Sequence, residues 1–100
     1  MVTLSVTRSR VADALEGAQA LLEAKGWDPL QYPVAAALDE AAGYVPGKGA
    51  PDAEQITLDA WEALVAQLDG QCVEEWEKAP GRTQLQVLFA LQGAAKAVAA

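Results

Sequence analysis

Residues 76–87 read WEKAPGRTQLQV, and this stretch decides the fold because one helix must end in it and another must begin. Pro80 lacks a backbone N–H and disfavours helical geometry at the residue before it, while Gly81 tolerates the positive φ of a tight turn. Thr83 and Gln86 have the spacing of a capping box, in which each side chain hydrogen-bonds to the backbone N–H of the other residue. The stretch therefore predicts a turn followed by a new helix.

Composition favours helix throughout the chain. The sequence has 100 residues, a length that suits one domain, and 22 of them are Ala, the residue with the highest helix propensity. Strand-favouring Ile, Phe, Tyr and Thr are scarce. We therefore predict a single domain over residues 1–100, an all-α bundle of about four principal helices plus a short helix before Pro80. Apolar spacing and the Gly and Pro positions place the helices at about 9–25, 34–42, 55–69, 71–78 and 84–98.

Several helix boundaries depend on single residues. Residues 2–6 alternate apolar and polar side chains, which predicts either an extended lead-in or a first helical turn. Gly26 predicts a left-handed helix end, after which Trp27 folds back on Leu22 in a Schellman-type contact. Gly70 predicts a break before the short helix, although the apolar spacing continues through it and also allows one longer helix.

The segment 43–51 is predicted to be a mobile surface loop, because Pro and Gly are concentrated in it. Its residues with a predicted role as an interaction loop are Val45, Pro46, Gly47, Lys48 and Gly49. Asp52 or Thr57 is the predicted cap of the helix that follows.

Apolar side chains at helical spacing predict the core. The expected members are Val11, Leu15, Leu22, Trp27, Leu38, Leu58, Trp61, Val65, Leu68, Trp76, Leu88 and Leu91. Cys72 continues one of these lines and is predicted to be a buried structural thiol. The last helix carries apolar residues around much of its circumference, which is more than a thin bundle covers, so we expect an uncovered apolar patch on it.

The charge balance and the absence of His limit the function classes. Fourteen acidic side chains face seven basic ones, giving a formal charge of −7, so direct nucleic-acid binding is disfavoured. No His is present, and neither a catalytic constellation nor metal-ligand spacing is recognisable, so we predict no catalytic residue, no cofactor and no metal site. No secretory or membrane segment is visible, and the single Cys suits a cytoplasmic protein.

Arg82 is the most unusual charged residue. A cation just before a helix N-terminus opposes the helix dipole, and two explanations are open. Together with Thr83 and the amides that follow, Arg82 could hold a phosphate or carboxylate ligand. Alternatively, it pairs with an internal acid, Glu75 or Asp69, and fixes the turn.

Residues 76–83, W-E-K-A-P-G-R-T, resemble a C-terminal signature, approximately W-N-D-A-P-G-R-T, of a family of small uncharacterised proteins from actinobacteria and their phages. The helix end at residues 25–27 is similar to the opening of that family, so the resemblance extends over most of the chain. Glu77 and Lys78 stand where the family has Asn and Asp. The resemblance implies an actinobacterial or phage source and no established activity.

These observations together predict a small non-enzymatic helical protein that acts through a protein partner, with self-association as one version. The expected contact surface is an Ala-rich helix face or the loop at 45–51. The alternative is an acidic decoy whose carboxylates imitate nucleic-acid phosphates and occupy a DNA- or RNA-binding protein. Against the decoy, the acids are scattered over every helix and mixed with bases.

Overall fold

The computed structural model describes residues 2–45, 47–48 and 51–99, with side chains from residue 9 onward. Within these residues the chain forms five helices and no strand, which confirms the all-α prediction. The helices are α1 (Val2–Lys25), α2 (Val34–Ala42), α3 (Pro51–Gln67), α4 (Val73–Glu77) and α5 (Gln84–Ala99). α1 lies at the centre of the bundle and packs against α5, α2 and α3, while α3 also contacts α2 and α5.

α1 is longer than the sequence pattern predicted. It begins at Val2 rather than near residue 9, so of the two interpretations of residues 2–6 the helical one is confirmed. No Gly or Pro interrupts the chain before Gly17, and nothing in these residues stops the helix from extending to its start. A Cβ at Gly17 would lie 3.1 Å from the Cβ of Ala41, so this Gly lets α1 and α2 approach closely.

The end of α1 differs in detail from the prediction. Gly26 is left-handed with φ of 87°, and its N–H donates to the carbonyl of Leu22 at 2.8 Å, as in the simple left-handed cap. The N–H of Trp27 does not complete a Schellman motif, because it donates instead to Oε1 of Gln84 at 3.0 Å. A long-range bond to α5 therefore replaces the expected local one.

α3 ends with the predicted break. Asp69 has φ of 57°, and the N–H of Gly70 donates to the carbonyl of Val65 at 2.9 Å, which is a Schellman closure with Asp rather than Gly in the first left-handed position. The alternative of one helix running through Gly70 is therefore wrong. At the other end, α3 begins at Pro51 rather than near residue 55, since Pro is well suited to a first helical position.

The core contains most of the expected residues, with one clear error on α3. Leu58 is 49% exposed, and Trp61 and Val65 are only half-buried. The face of α3 that is buried carries Ala53, Ile56, Thr57, Ala60 and Leu64. Two of those side chains are Ala, so this narrower face lets the neighbouring helices come closer than the face with Leu58 and Trp61 would allow.

The other predicted core residues divide into two groups. Those confirmed as buried are Val11, Leu15, Leu22, Leu38, Leu68, Leu88 and Leu91. Trp27 and Trp76 are partly buried and pack against this core. Thr57 is not a helix cap, because its hydroxyl lies in the interior of α3 and donates to Oδ1 of Asp39 on α2 at 2.7 Å.

Candidate functional site

The turn between α4 and α5 contains the two residues that the sequence singled out. The capping box is formed, since the Thr83 N–H donates to Oε1 of Gln86 at 3.0 Å and the Gln86 N–H donates to Oγ1 of Thr83 at 3.2 Å. Gly81 has φ of 81°, which carries the chain from Pro80 into the cap. This part of the sequence prediction is confirmed at the level of individual hydrogen bonds.

Arg82 uses a different partner from the predicted acid. Its Nε donates to the carbonyl oxygen of Trp76 at 2.8 Å, and its guanidinium carbon lies 4.0 Å from the centre of the Trp76 ring. Among the described residues the sole ion pair is elsewhere, so pairing with Glu75 or Asp69 does not occur. The guanidinium turns back over α4 because the indole face offers both apolar contact and an attractive negative potential.

Glu77 has a structural role that was not predicted from the sequence. It is 2% exposed, and its Oε2 accepts hydrogen bonds from Nε1 of Trp27 at 2.8 Å and from the backbone N–H of Val34 at 2.7 Å. Val34 is the first residue of α2, and Pro33 before it supplies no side-chain cap. A carboxylate at a helix N-terminus also interacts favourably with the helix dipole, so Glu77 acts as the missing cap of α2 from a different helix.

A signal for Glu77 was present in the sequence. Glu77 lies four residues after Val73, and both are buried on the same face of α4. An acid on the apolar face of a short helix needs donors, and a Trp after a helix end has an indole N–H that needs an acceptor. The neighbouring acids Glu74 and Glu75 are exposed, so the composition of the segment as a whole is that of a solvated face.

A second polar cluster joins α1 to α2 at the surface. Nζ of Lys25 lies 2.8 Å from Oε2 of Glu40 and 5.2 Å from the centre of the Tyr32 ring, and the Tyr32 hydroxyl donates to Oε1 of Glu40 at 2.8 Å. The hydrogen bond from Lys25, and then that from Tyr32, lower the pKa of Glu40, while the bond to Glu40 raises the pKa of Lys25. Because both charges are exposed, solvent screening keeps the contribution of this pair to stability small.

A groove lies between α2, α3 and α4, and we call it the α2–α4 groove. It consists of two hollows of about 290 Å³ each, which adjoin because both are lined by Ala35 and Glu74. The first hollow is also lined by Asp39, Thr57, Leu58 and Trp61. The second is also lined by Pro29, Leu30, Pro33, Glu77 and Lys78.

The loop at one end of the groove is held in a defined shape. Oδ1 of Asp28 accepts hydrogen bonds from the N–H groups of Leu30 and Gln31 at 2.8 and 3.0 Å, and these bonds, with that from Gln31 the larger cause, lower the pKa of Asp28. Asp28 and Tyr32 exchange backbone hydrogen bonds across the loop. Leu30 at its tip is 78% exposed, so this loop presents an apolar side chain to solvent.

The predicted interaction loop is only partly described. Val45 and Lys48 are exposed, and the Lys48 N–H donates to the Val45 carbonyl at 3.1 Å. Pro46 and Gly49 lie outside the described residues. Cys72 is exposed rather than buried, because it precedes α4 and so lies off the buried face that Val73 begins.

Within the described part of the chain, no group of three or more acidic or Cys side chains could hold a metal ion. None of the described helices is long and apolar enough to cross a membrane.

Comparison with known proteins gives one match. Searches of curated proteins and of solved structures found no significant similarity. A family model described as "Family of unknown function (DUF6197)" matches residues 6–97, a range that includes every feature of the turn, the Glu77 cluster and the α2–α4 groove. The chain therefore belongs to the DUF6197 family, whose function is unknown.

Proposed function

We propose that this protein is a non-enzymatic module that acts by binding another protein, with a second copy of itself as the first partner to test. The observation that supports it is a pair of apolar side chains on α5. Leu85 and Phe89 lie four residues apart on one face of this helix, and each is 60% exposed. We call this pair the α5 patch.

The α5 patch is the uncovered surface expected from the sequence. The opposite side of α5 is buried against the bundle through Val87, Leu88, Ala90, Leu91, Ala94 and Ala95. Leaving two adjacent large apolar side chains in water is unfavourable, because burying each stabilises a protein by roughly 1.5–3 kcal/mol. Each side chain is 60% exposed, so a partner that covers both recovers the corresponding part of this free energy, and adjacent exposed apolar residues of this kind can mark an interface.

Sedimentation velocity of the wild-type protein and of Phe89→Ser tests self-association. We expect the wild type to associate as concentration rises and the variant to remain monomeric. Leu58→Ser is the matched control, since it removes an exposed apolar side chain from α3 and should leave association unchanged. Val45→Ser reports separately on the loop at 43–51.

A strictly monomeric wild type would remove self-association and leave a different protein as the partner. Affinity capture with wild-type and Phe89→Ser baits, washed at low and then high salt, decides that case. A protein retained at high salt by the wild type alone supports the proposal. A salt-sensitive DNA-binding protein that binds both baits would favour the acidic decoy, and no captured protein would overturn both.

We also propose that the protein has an actinobacterial or phage source and a cytoplasmic location. The W-E-K-A-P-G-R-T signature supports an actinobacterial or phage origin, and composition supports a cytoplasmic location. Capture is therefore best performed with an actinobacterial lysate.

A further inference from the structure

The α2–α4 groove has an apolar floor that the bundle leaves uncovered. Leu58 is half-exposed and Trp61 is half-buried, although both have the spacing of core residues. They lie three residues apart on α3 and face the first hollow together with Ala35 of α2. The hollow therefore offers contact area for an apolar side chain from outside.

Two carboxylates border this apolar floor with acceptor capacity to spare. Asp39 uses Oδ1 to accept the hydroxyl of Thr57, and no described residue donates to its other oxygen. The side chain of Glu74 is exposed and makes no hydrogen bond or ion pair with any described backbone or side-chain group. Lys78, one turn further along, does not approach it within 4.0 Å. The first hollow thus combines apolar surface with unneutralised negative charge.

The chemistry of the first hollow favours a partner that presents an Arg side chain close to an apolar one. A guanidinium binds carboxylate oxygens through several N–H groups and also stacks on an indole ring, which Lys does less well. The chain itself contains such a contact, since Arg82 stacks on Trp76 at 4.0 Å. The net charge of −7 attracts a cationic partner and repels an anionic one.

The size of the groove indicates a protein segment. Each hollow, at about 290 Å³, is at the lower limit for a small-molecule pocket. Two adjoining hollows instead suit a short stretch of chain that places one side chain in each. Pro29 and Leu30 make the second hollow apolar at its outer end, so it suits an apolar side chain.

We propose that the α2–α4 groove binds a segment of a partner protein that carries an Arg and a large apolar residue. The Arg lies over Trp61 and bonds to Glu74 and the free oxygen of Asp39, and the apolar side chain occupies the hollow beside Pro29 and Leu30. This inference rests on the protein-binding function proposed above but uses a surface on different helices from the α5 patch.

The test is selection of a random linear peptide library on the immobilised protein, followed by titration of synthetic copies of the enriched peptides. We expect the enriched peptides to combine Arg with Leu, Phe or Trp. Glu74→Gln should weaken their binding by about threefold to fivefold, because one exposed charge pair is lost. Leu58→Ser should weaken it by about tenfold or more, because apolar contact is lost. Leu85→Ser is the matched control and should bind normally.

Nuclear magnetic resonance identifies the surface. On peptide addition, the indole N–H signal of Trp61 and the methyl signals of Leu58 and Ala35 should shift. The methyl signals of Leu85, which lies on α5 and lines neither hollow, should not. Melting temperatures of Glu74→Gln and Leu58→Ser should match that of the wild type, since both side chains are exposed.

Three outcomes would each overturn the proposal. They are enrichment of acidic or uncharged peptides, peptide affinity that is unchanged in both Glu74→Gln and Leu58→Ser, and no enrichment at all. The proposal for the α2–α4 groove and the proposal for the α5 patch can each be refuted without the other. Loss of association in Phe89→Ser with unchanged peptide binding supports the α5 patch and the groove as independent sites. Peptides that depend on Leu85 rather than Leu58 would assign all binding to α5.

Discussion

The turn at 80–83 and the Glu77 cluster are neighbours in the chain but hold the fold by different means. Every hydrogen bond of the turn joins residues three to six positions apart. Glu77 instead bonds to Val34 and Trp27, which are 43 and 50 positions away. The turn therefore sets the direction of one helix, whereas Glu77 fixes the arrangement of three segments, and we expect removal of Glu77 to cost much more.

The largest expected effect is that of Glu77→Ala. The substitution leaves the N–H of Val34 and the indole N–H of Trp27 without an acceptor, at a cost of roughly 1–3 kcal/mol for each. We expect the free energy of unfolding in urea to fall by about 2–6 kcal/mol in total. Glu77→Gln keeps an acceptor oxygen and should lose less.

Glu75→Ala is the matched control for Glu77, because Glu75 is exposed on the same short helix. Its effect should stay within about 0.5 kcal/mol. Equal losses in Glu75→Ala and Glu77→Ala would show that the buried carboxylate contributes nothing beyond helix propensity.

A smaller effect is expected for Arg82→Ala. The variant loses the stack on Trp76 and the bond to its carbonyl, which together contribute about 1–2 kcal/mol at a half-buried position. Thermal unfolding should show a lower melting temperature, and Arg82→Lys should recover only part of it. If phosphate raised the melting temperature of the wild type but not of Arg82→Ala, anion binding would be assigned to this residue instead.

Thr83→Ala should destabilise the protein by about 1 kcal/mol, because the Gln86 N–H loses its cap. Chemical denaturation measures the loss, and Thr83→Ser, which keeps the hydroxyl, should be close to wild type. A loss as large as that of Glu77→Ala would contradict the distinction between the local turn and the long-range cluster.

The smallest effect concerns Lys25 and Glu40, whose contribution depends on pH. The pKa of Glu40 is lowered from 4.5 in the folded protein, so its stabilisation is present above pH 4.5 and is lost as pH falls through the lowered pKa. The pKa of Lys25 is raised from 10.5, so its contribution is lost only as pH rises above that value. Lys25→Met should therefore melt slightly below wild type at neutral pH and equally at acid pH. Lys48→Met, in an exposed loop, should match wild type at both.

Residues whose structure depends on near neighbours were predictable. Thr83 and Gln86 define their cap through spacing alone. Gly26 marks the end of α1 because a left-handed residue is needed there, and Gly81 supplies the positive φ of the turn before α5. The buried face of α3 was not predictable, because Leu58 and Trp61 also lie at the helical spacing that is typical of a buried face. Which of the two apolar faces of α3 is buried depends on how closely the neighbouring helices approach. That distance is set by Ala53 and Ala60 together with residues far away in the sequence.

The candidate site was harder to predict for the same reason. The α2–α4 groove joins residues from position 29 to position 78, and no spacing rule connects them. The unusual position of Arg82 was recognised from the sequence, but the predicted partner was wrong. A carboxylate was expected, whereas the guanidinium stacks on the indole ring of Trp76. The α5 patch was expected without knowledge of the bundle, since its excess of apolar residues is visible in the helix itself.

The cap that Glu77 places on α2 has a consequence for the order of folding. α2 has nine residues, too few for stable helix on its own in water, and its first N–H receives a carboxylate from a residue 43 positions later. During synthesis from the N-terminus, α1 and α2 emerge before that carboxylate exists. Contacts with such long sequence separation are associated with slow folding, so we expect a nascent chain that stops before residue 77 to hold a frayed α2 and to reach the native arrangement only after α4 has left the ribosome.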